Sequence, residues 1–269
     1  MRFFPTPSLA FVLSLLPVGM ASAQSDDGVT TLDPYLVRAV NVANETPLPT
    51  YANPVSLLNF AARVDVQSRN FAEAQGDVSI RGGTFENTGF TVGNLAIFDP
   101  QTGHYLTEQP IDPMMLGQPK VLTGYANFQH GFNATSGTIR FRWRPLSAPV
   151  RQLILSFGEN RLNTQSLYIA EPLRSGSTQI TWDAGIARSE SDGSIRAGDH
   201  SFERYAARLQ IRTPRSQLHL FAGYQDKFFG WPNLYTPFNV DETESIQTLL
   251  LLTDFQLQLD ADSTLSLAG

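Results

Sequence analysis

The segment DVSIRGGTFENTGFTVGNLAIFDPQTGHYLTEQP, residues 77–110, decides how the rest of this 269-residue chain is read. Val78 and Ile80 alternate with Asp77, Ser79 and Arg81, the two-residue period of a half-buried strand. That strand runs into Arg81, Gly82 and Gly83, where two glycines permit backbone angles closed to other residues and a sharp turn follows. Residues 91–98 form a further strand, and residues 99–106 a loop opening on Asp99-Pro100, a good turn former. Just upstream, Val64 and Val66 alternate with Asp65 and Gln67 in the same strand-like way. Before them Val55, Leu57, Leu58 and Ala61 have helical spacing. Asn53 as cap and Pro54 at the first helical position predict a short helix over residues 54–62.

Further out, Arg2 precedes an apolar run over residues 9–18, and Ala21, Ser22 and Ala23 form an A-x-A cleavage pattern. Residues 1–23 therefore read as an export signal, with the mature chain starting at Gln24. The run is about ten residues, short of the ~20 needed to cross a bilayer as a helix. The next residues, 24–31, are small, acidic and polar, the composition of a flexible terminus. The chain has no cysteine, which removes a disulfide framework and a lipoprotein anchor.

A formal charge of -6 argues against general nucleic-acid binding, which calls for a basic face. No G-x-S-x-G elbow or cysteine nucleophile occurs, the carboxylates are scattered, and the glycine turns lack the lysine of a phosphate loop. The chain reads as no enzyme, and no cofactor is expected. Asp99 and His104 lie five apart in one loop, and no other pair among the four histidines has ligand spacing, so no metal is expected either.

After Pro145 the texture changes. Leu153, Leu155 and Phe157 share a face; Ile180, Trp182, Ala184 and Ile186 form another run; Tyr205, Ala207, Leu209 and Ile211 interleave with Ala206, Arg208, Gln210 and Arg212. Leu218, Leu220, Ala222 and Tyr224 continue the pattern, and Leu249, Leu251, Thr253, Phe255, Leu257 and Leu259 end it. Strands of about ten residues with one apolar and one polar face suit a membrane barrel, and equally a soluble sandwich.

The order of these features resembles the TonB-dependent outer-membrane receptors. The Arg81-Gly82-Gly83 turn, the strand behind it and the Asp-Pro-Gln-Thr-Gly-His loop at residues 99–104 are similar to the plug domain of that family. The resemblance implies a mainly β fold: a small mixed α/β plug domain followed by antiparallel strands of an incomplete transmembrane β-barrel. The implied order is an export signal over 1–23, a flexible terminus with a TonB box over 24–43, a plug over 44–145 and the first part of the barrel over 146–269. The TonB box would be Leu32, Asp33, Pro34, Tyr35, Leu36 and Val37, an extended peptide that adds a strand to the periplasmic TonB energy-coupling protein. Ligand contacts would come from the plug's apical loops: Asn87, Thr88, Phe98, Asp99, Gln101, Thr102, His104 and Tyr105. The implied solute is an iron-siderophore complex or cobalamin, taken up across the outer membrane. The aromatic segment at residues 227–238 resembles an extracellular barrel loop of some members.

The chain departs from the family where Leu122-Thr123-Gly124-Tyr125 stands in place of an Arg-Gly-Pro motif, and where Gly93 and Asn94 replace an Asp-Gly pair. From Val150 onward there is room for about seven or eight strands at roughly 15 residues per strand and turn, against ~22 in a plugged transporter. A fragment or truncated product is the expectation. The rival reading is a secreted or periplasmic β-sandwich that binds a ligand without transport.

Overall fold

The computed structural model describes residues 52–58, 61–69, 74–98, 103, 106–130 and 134–269. The export signal and the segment 32–37 lie outside the described residues.

A small unit comes first. Pro54–Leu58 form a 3-10 turn rather than the expected longer regular helix, and its start is held by the Ser56 hydroxyl accepting from the Asn53 amide at 3.0 Å. Strands β1 (Val64–Arg69) and β2 (Gln75–Ile80) follow as an antiparallel pair with Val66 opposite Val78, as their alternation predicts. The turn after β2 puts Arg81 at φ 55° and Gly82 at φ 75°, so glycine is needed at the second position. A 3-10 turn at Phe85–Asn87 leads into β3 (Thr88–Val92).

The single strand expected over residues 91–98 is in fact two. Gly93 takes φ 62°, the chain reverses at Gly93-Asn94, and β4 (Leu95–Ile97) pairs back on β3. Beyond a 3-10 turn at Pro113–Met115 come β5 (Lys120–Leu122), the short helix α1 (Tyr125–His130), which the sequence pattern did not suggest, and β6 (Gly137–Phe141). These strands form a four-stranded sheet of order β4-β3-β6-β5 in which β3 and β6 are parallel.

The second part is a seven-stranded antiparallel meander: β7 (Val150–Phe157), β8 (Asn163–Ser175), β9 (Thr178–Ser191), β10 (His200–Arg212), β11 (Ser216–Pro232), β12 (Asp241–Gln258) and β13 (Thr264–Ala268). Connections at one end are the short turns 176–177, 213–215 and 259–263. At the other they are the loops 158–162, 192–199 and 233–240. Strand β8 escaped sequence reading because Leu167, Tyr168 and Ile169 break its alternation and Pro172 sits within it. The aromatic segment 227–238 is only half loop: through Pro232 it is strand, with Trp231 opposite Glu242.

The sheet is apolar outside and polar inside. On β10, Phe202, Arg204, Ala206, Arg208 and Gln210 are buried, whereas Tyr205 is 45% exposed. On β12 Leu249 and Leu251 are exposed while Asp254 is 3% exposed. Water-soluble proteins bury aliphatic side chains and expose charges, so this inversion fits a wall whose outer face meets lipid. A sandwich would need a second sheet over the apolar face, and among the described residues none covers it. The buried side of the wall packs on the small unit: Tyr168, Ala170, Ala206, Phe221 and Leu252 share one apolar cluster with Val78, Ile80, Ile111, Ile139 and Phe141.

Candidate functional site

The inner face of the wall is shaped to receive residues 106–112. Gly185, Ala206 and Gly223 stand in register across β9, β10 and β11. A Cβ on Gly223 would lie 2.5 Å from the Pro110 carbonyl oxygen, and one on Gly185 would lie 2.4 Å from Asp112 Oδ2. Three small residues thus make a shallow trough in which this strap lies against the wall, closer than any larger side chain would allow.

Charges from the wall then grip the strap at successive heights. Arg204 donates from Nη1 to the Ala52 carbonyl at 2.7 Å and approaches Asp112 Oδ2 at 3.5 Å. The other Asp112 oxygen accepts from the Met114 amide at 2.9 Å, capping the 3-10 turn, so one carboxylate both ends the strap and meets the wall. Lys227, 1% exposed, donates to the carbonyls of Ala74 and of Thr107, the latter at 3.1 Å, and lies 3.3 Å from Glu108 Oε1. Gln225 adds a bond to the Thr107 carbonyl at 2.9 Å. Burial pushes the Glu108 carboxyl above its ordinary range, against the opposing pull of Lys227.

Deeper in the wall, Asp183 accepts from Arg208 Nε at 2.8 Å and Nη2 at 2.9 Å and from the Tyr168 hydroxyl at 2.7 Å, with both ionic side chains fully buried. Arg208 also donates to the carbonyls of Met115 at 3.3 Å and Arg144 at 3.1 Å, and its guanidinium lies 5.3 Å from the Trp143 ring centroid. Near the short-turn end, Asp254 accepts from the Asn94 amide at 3.2 Å and its side-chain amide at 2.8 Å, tying down the Gly93-Asn94 reversal. Paired this way, the buried ions Arg204, Arg208, Lys227, Asp183 and Asp254 of the wall each meet a partner among the described residues, as a dry interface demands.

The Gly93-Asn94 end of the four-stranded sheet lies beside the short-turn end of the wall. The opposite end of that sheet carries the 81–83 turn, Asn87 and Ser136. Ser136 donates its amide to the Asn87 carbonyl at 3.0 Å, and a Cβ on Gly83 would fall 1.9 Å from Ser136 Oγ.

No protein-family model and no curated protein matches the chain. Solved structures do. The ferripyoverdine receptor FpvA of Pseudomonas aeruginosa, in complex with a heterologous pyoverdine and iron, is 14% identical with a TM-score of 0.60, over 80% of this chain and 31% of that one. The alcaligin outer-membrane receptor FauA of Bordetella pertussis is 16% identical with a TM-score of 0.56, over 80% of this chain and 35% of that one. The copper transporter OprC is 15% identical with a TM-score of 0.50, over 81% and 44%. This chain has the fold of a TonB-dependent outer-membrane receptor. It spans between 31% and 44% of the length of these structures.

Within that receptor fold the residues singled out for ligand contact separate. Asn87 is exposed and donates to Thr84 Oγ1 at 3.0 Å, and Phe98 is 45% exposed. Thr88 is 1% exposed at the start of β3, inside the sheet layer, so its side chain is turned away from the outer surface. Asp99, Gln101, Thr102, His104 and Tyr105 lie outside the described residues. Sequence reasoning missed Arg204 and the Gly185-Ala206-Gly223 trough, and it placed Lys227 at the start of an extracellular loop rather than buried on β11. Arg208 was read only as part of a polar face. The available signal was a cation recurring on the inward register of strands that otherwise carry Ala, Leu, Phe and Tyr.

Proposed function

We propose that this chain is the plug domain and the opening barrel wall of a TonB-dependent receptor that imports a scarce solute, an iron-siderophore complex or cobalamin, across the outer membrane. In this reading residues 1–23 direct export, residues 24–43 carry the TonB box, residues 44–145 form the plug, and residues 146–269 form wall. The observation that carries it is the set of buried cations on the wall's inner face, each bonded to the small unit, beneath an outer face of Leu, Tyr and Trp. Such a wall suits a lipid-embedded barrel closed around a plug, and a plug held by discrete polar bonds is one that force can dislodge.

Solute would be bound at the outward end by Asn87, Phe98, Asp99, Gln101, Thr102, His104 and Tyr105. The TonB protein would then pair with Leu32, Asp33, Pro34, Tyr35, Leu36 and Val37 by strand addition and pull on the plug. Deletion of residues 31–37 from the protein expressed in its own host should leave it in the outer-membrane fraction and abolish uptake of radiolabelled ferric siderophores or cobalamin. Unchanged uptake in the deletion, or recovery of the protein in the soluble fraction, overturns the proposal.

A further inference from the structure

The two ends of the wall differ in how their cations are paired. At the longer-loop end Arg161 pairs with Asp192, Arg188 with Glu190 and Arg196 with Asp241. At the short-turn end Arg174 of β8, Arg212 of β10 and Arg215 of the 213–215 turn are exposed, and none has an ion pair among the described residues. Of the short turns only 259–263 carries carboxylates, and there Asp260 accepts from the Asp262 amide at 2.9 Å.

The small unit brings more positive charge to the same place. Arg140, Arg142 and Arg144 alternate along the exit of β6 around Phe141, whose carbonyl accepts from the Gly93 amide at 3.0 Å, at the end tied to Asp254. The Arg144 carbonyl is held by Arg208, and two residues on the Leu146 carbonyl accepts from Gln179 Nε2 at 2.6 Å. Gln179 stands in register between Arg174 and Arg212, so the segment meets the wall between those two arginines. Arg142 is exposed, Arg140 and Arg144 are half-buried, and none of the three has an ion pair among the described residues.

Alternation decides which way this charge faces. Arg174 keeps the register of Tyr168 and Ala170, and Arg212 that of Arg204 and Arg208, so both belong to the inner face, while the neighbouring Leu173 and Ile211 belong to the outer one. Short turns of a membrane barrel lie on its periplasmic side, so the arginines open to the periplasm inside the wall rather than onto lipid.

We propose that Arg142, Arg144, Arg174, Arg212 and Arg215 form a docking surface for an extended acidic segment of a periplasmic protein partner. The inference rests on the reading of the chain as plug and wall. Guanidinium groups take carboxylates bidentately, and arginine clusters are a recurrent means of capturing acidic peptides. Paired strands lie about 4.8 Å apart, which puts Arg174 and Arg212 roughly 10 Å apart across β9, about the span of three residues of extended peptide. The whole chain has a formal net charge of -6 and repels a polyanion, so attraction must come from this local cluster.

Fluorescence anisotropy of dye-labelled octaglutamate tests this with the full chain in nanodiscs of zwitterionic phosphatidylcholine, which leave both faces open. Octaglutamate should bind and octalysine should not. Replacing Arg142, Arg174, Arg212 and Arg215 together by glutamine should weaken binding about two- to fivefold per arginine, at least about tenfold in all. Raising salt from about 20 mM to about 300 mM should weaken it likewise. Arg161→Gln with Arg196→Gln, at the longer-loop end, should leave it unchanged. Equal affinity in the wild type and the four-arginine variant overturns the docking surface, as does no binding at low salt. Preferential retention of phosphatidylglycerol by the wild type but not by that variant assigns the arginines to lipid head groups and overturns it also. Should the variant fail to enter nanodiscs, octaglutamate tagged with benzophenone decides on the wild type. Crosslinks within residues 140–147 and 212–216 support the surface, and crosslinks confined to other residues overturn it. A wild type that does not enter nanodiscs refutes the wall reading itself, and the surface with it.

Discussion

Replacing Asp183 by asparagine keeps the volume of the side chain and removes the charge that neutralises Arg208. Arg208 would then sit fully buried, 2.8 and 2.9 Å from a neutral amide, still pointing at the carbonyls of Met115 and Arg144. Breaking a buried ion pair by removing one partner costs about 3–5 kcal/mol, because the remaining charge is neither hydrated nor paired. That corresponds to roughly two to three and a half powers of ten in the folding equilibrium. Tyr168→Phe removes only the 2.7 Å hydroxyl bond to the same carboxylate, worth about 1.5–3 kcal/mol for a bond to a charged group. Because both changes act on one network, the double variant should lose less than the sum of the singles. Urea unfolding of the vesicle-inserted chain, followed by fluorescence of Trp143 beside Arg208, gives all three values. A loss under about 1 kcal/mol for Asp183→Asn, or strict additivity with Tyr168→Phe, would refute the claim that this network holds the small unit to the wall.

Gly223→Val should dislodge the strap, since its first side-chain carbon alone lands 2.5 Å from the Pro110 oxygen. Proteolysis within residues 106–112 should then speed up, while the same change at the outward Ala222 leaves it unaltered. Leu251→Arg on the outward face should cost about 2–4 kcal/mol of stability in vesicles if that position lies near the bilayer midplane, and nothing comparable in detergent-free urea. Arg161 and Asp192 pair on exposed loops, bidentately, and the bond to Arg161 holds the Asp192 carboxyl below its usual range. Their mutual support is present above the ordinary carboxylate value and lost as pH falls through the depressed one. It is also screened by salt, so Arg161→Ala should leave the unfolding midpoint unchanged and only raise the mobility of loop 158–162.

The parts of the fold that were legible in the sequence are those whose periodicity is local. Val64 and Val66 paired with Val78 and Ile80 as alternation predicts, and the runs at Tyr205, Leu218 and Leu249 became β10, β11 and β12. The run at residues 91–98 misled because Thr91, Val92, Leu95, Ile97 and Phe98 favour a strand and outweigh the Gly93-Asn94 pair between them, a hairpin signal that the φ of Gly93 bears out. Period alone also leaves open which face is buried. Tyr205 and Leu209 look like core until Arg204 and Arg208 are found inside, where each meets a partner more than twenty residues away. The trough is the least legible element. Gly185, Ala206 and Gly223 are unremarkable singly, and their meaning comes from a register across three strands that brings Pro110 and Asp112 onto them.

Site-directed spin labelling along β10 tests the orientation of the wall most directly, and the absence of native cysteine makes single-cysteine variants straightforward. Labels placed by Tyr205→Cys, Ala207→Cys and Leu209→Cys in vesicles should be accessible to oxygen dissolved in the bilayer and shielded from a water-soluble paramagnetic chelate. Labels from Ala206→Cys and Gln210→Cys should be immobilised and shielded from both. Chelate access at the odd positions, or no alternation along the strand, would contradict a wall that faces lipid outside and holds its polar side chains against the small unit within.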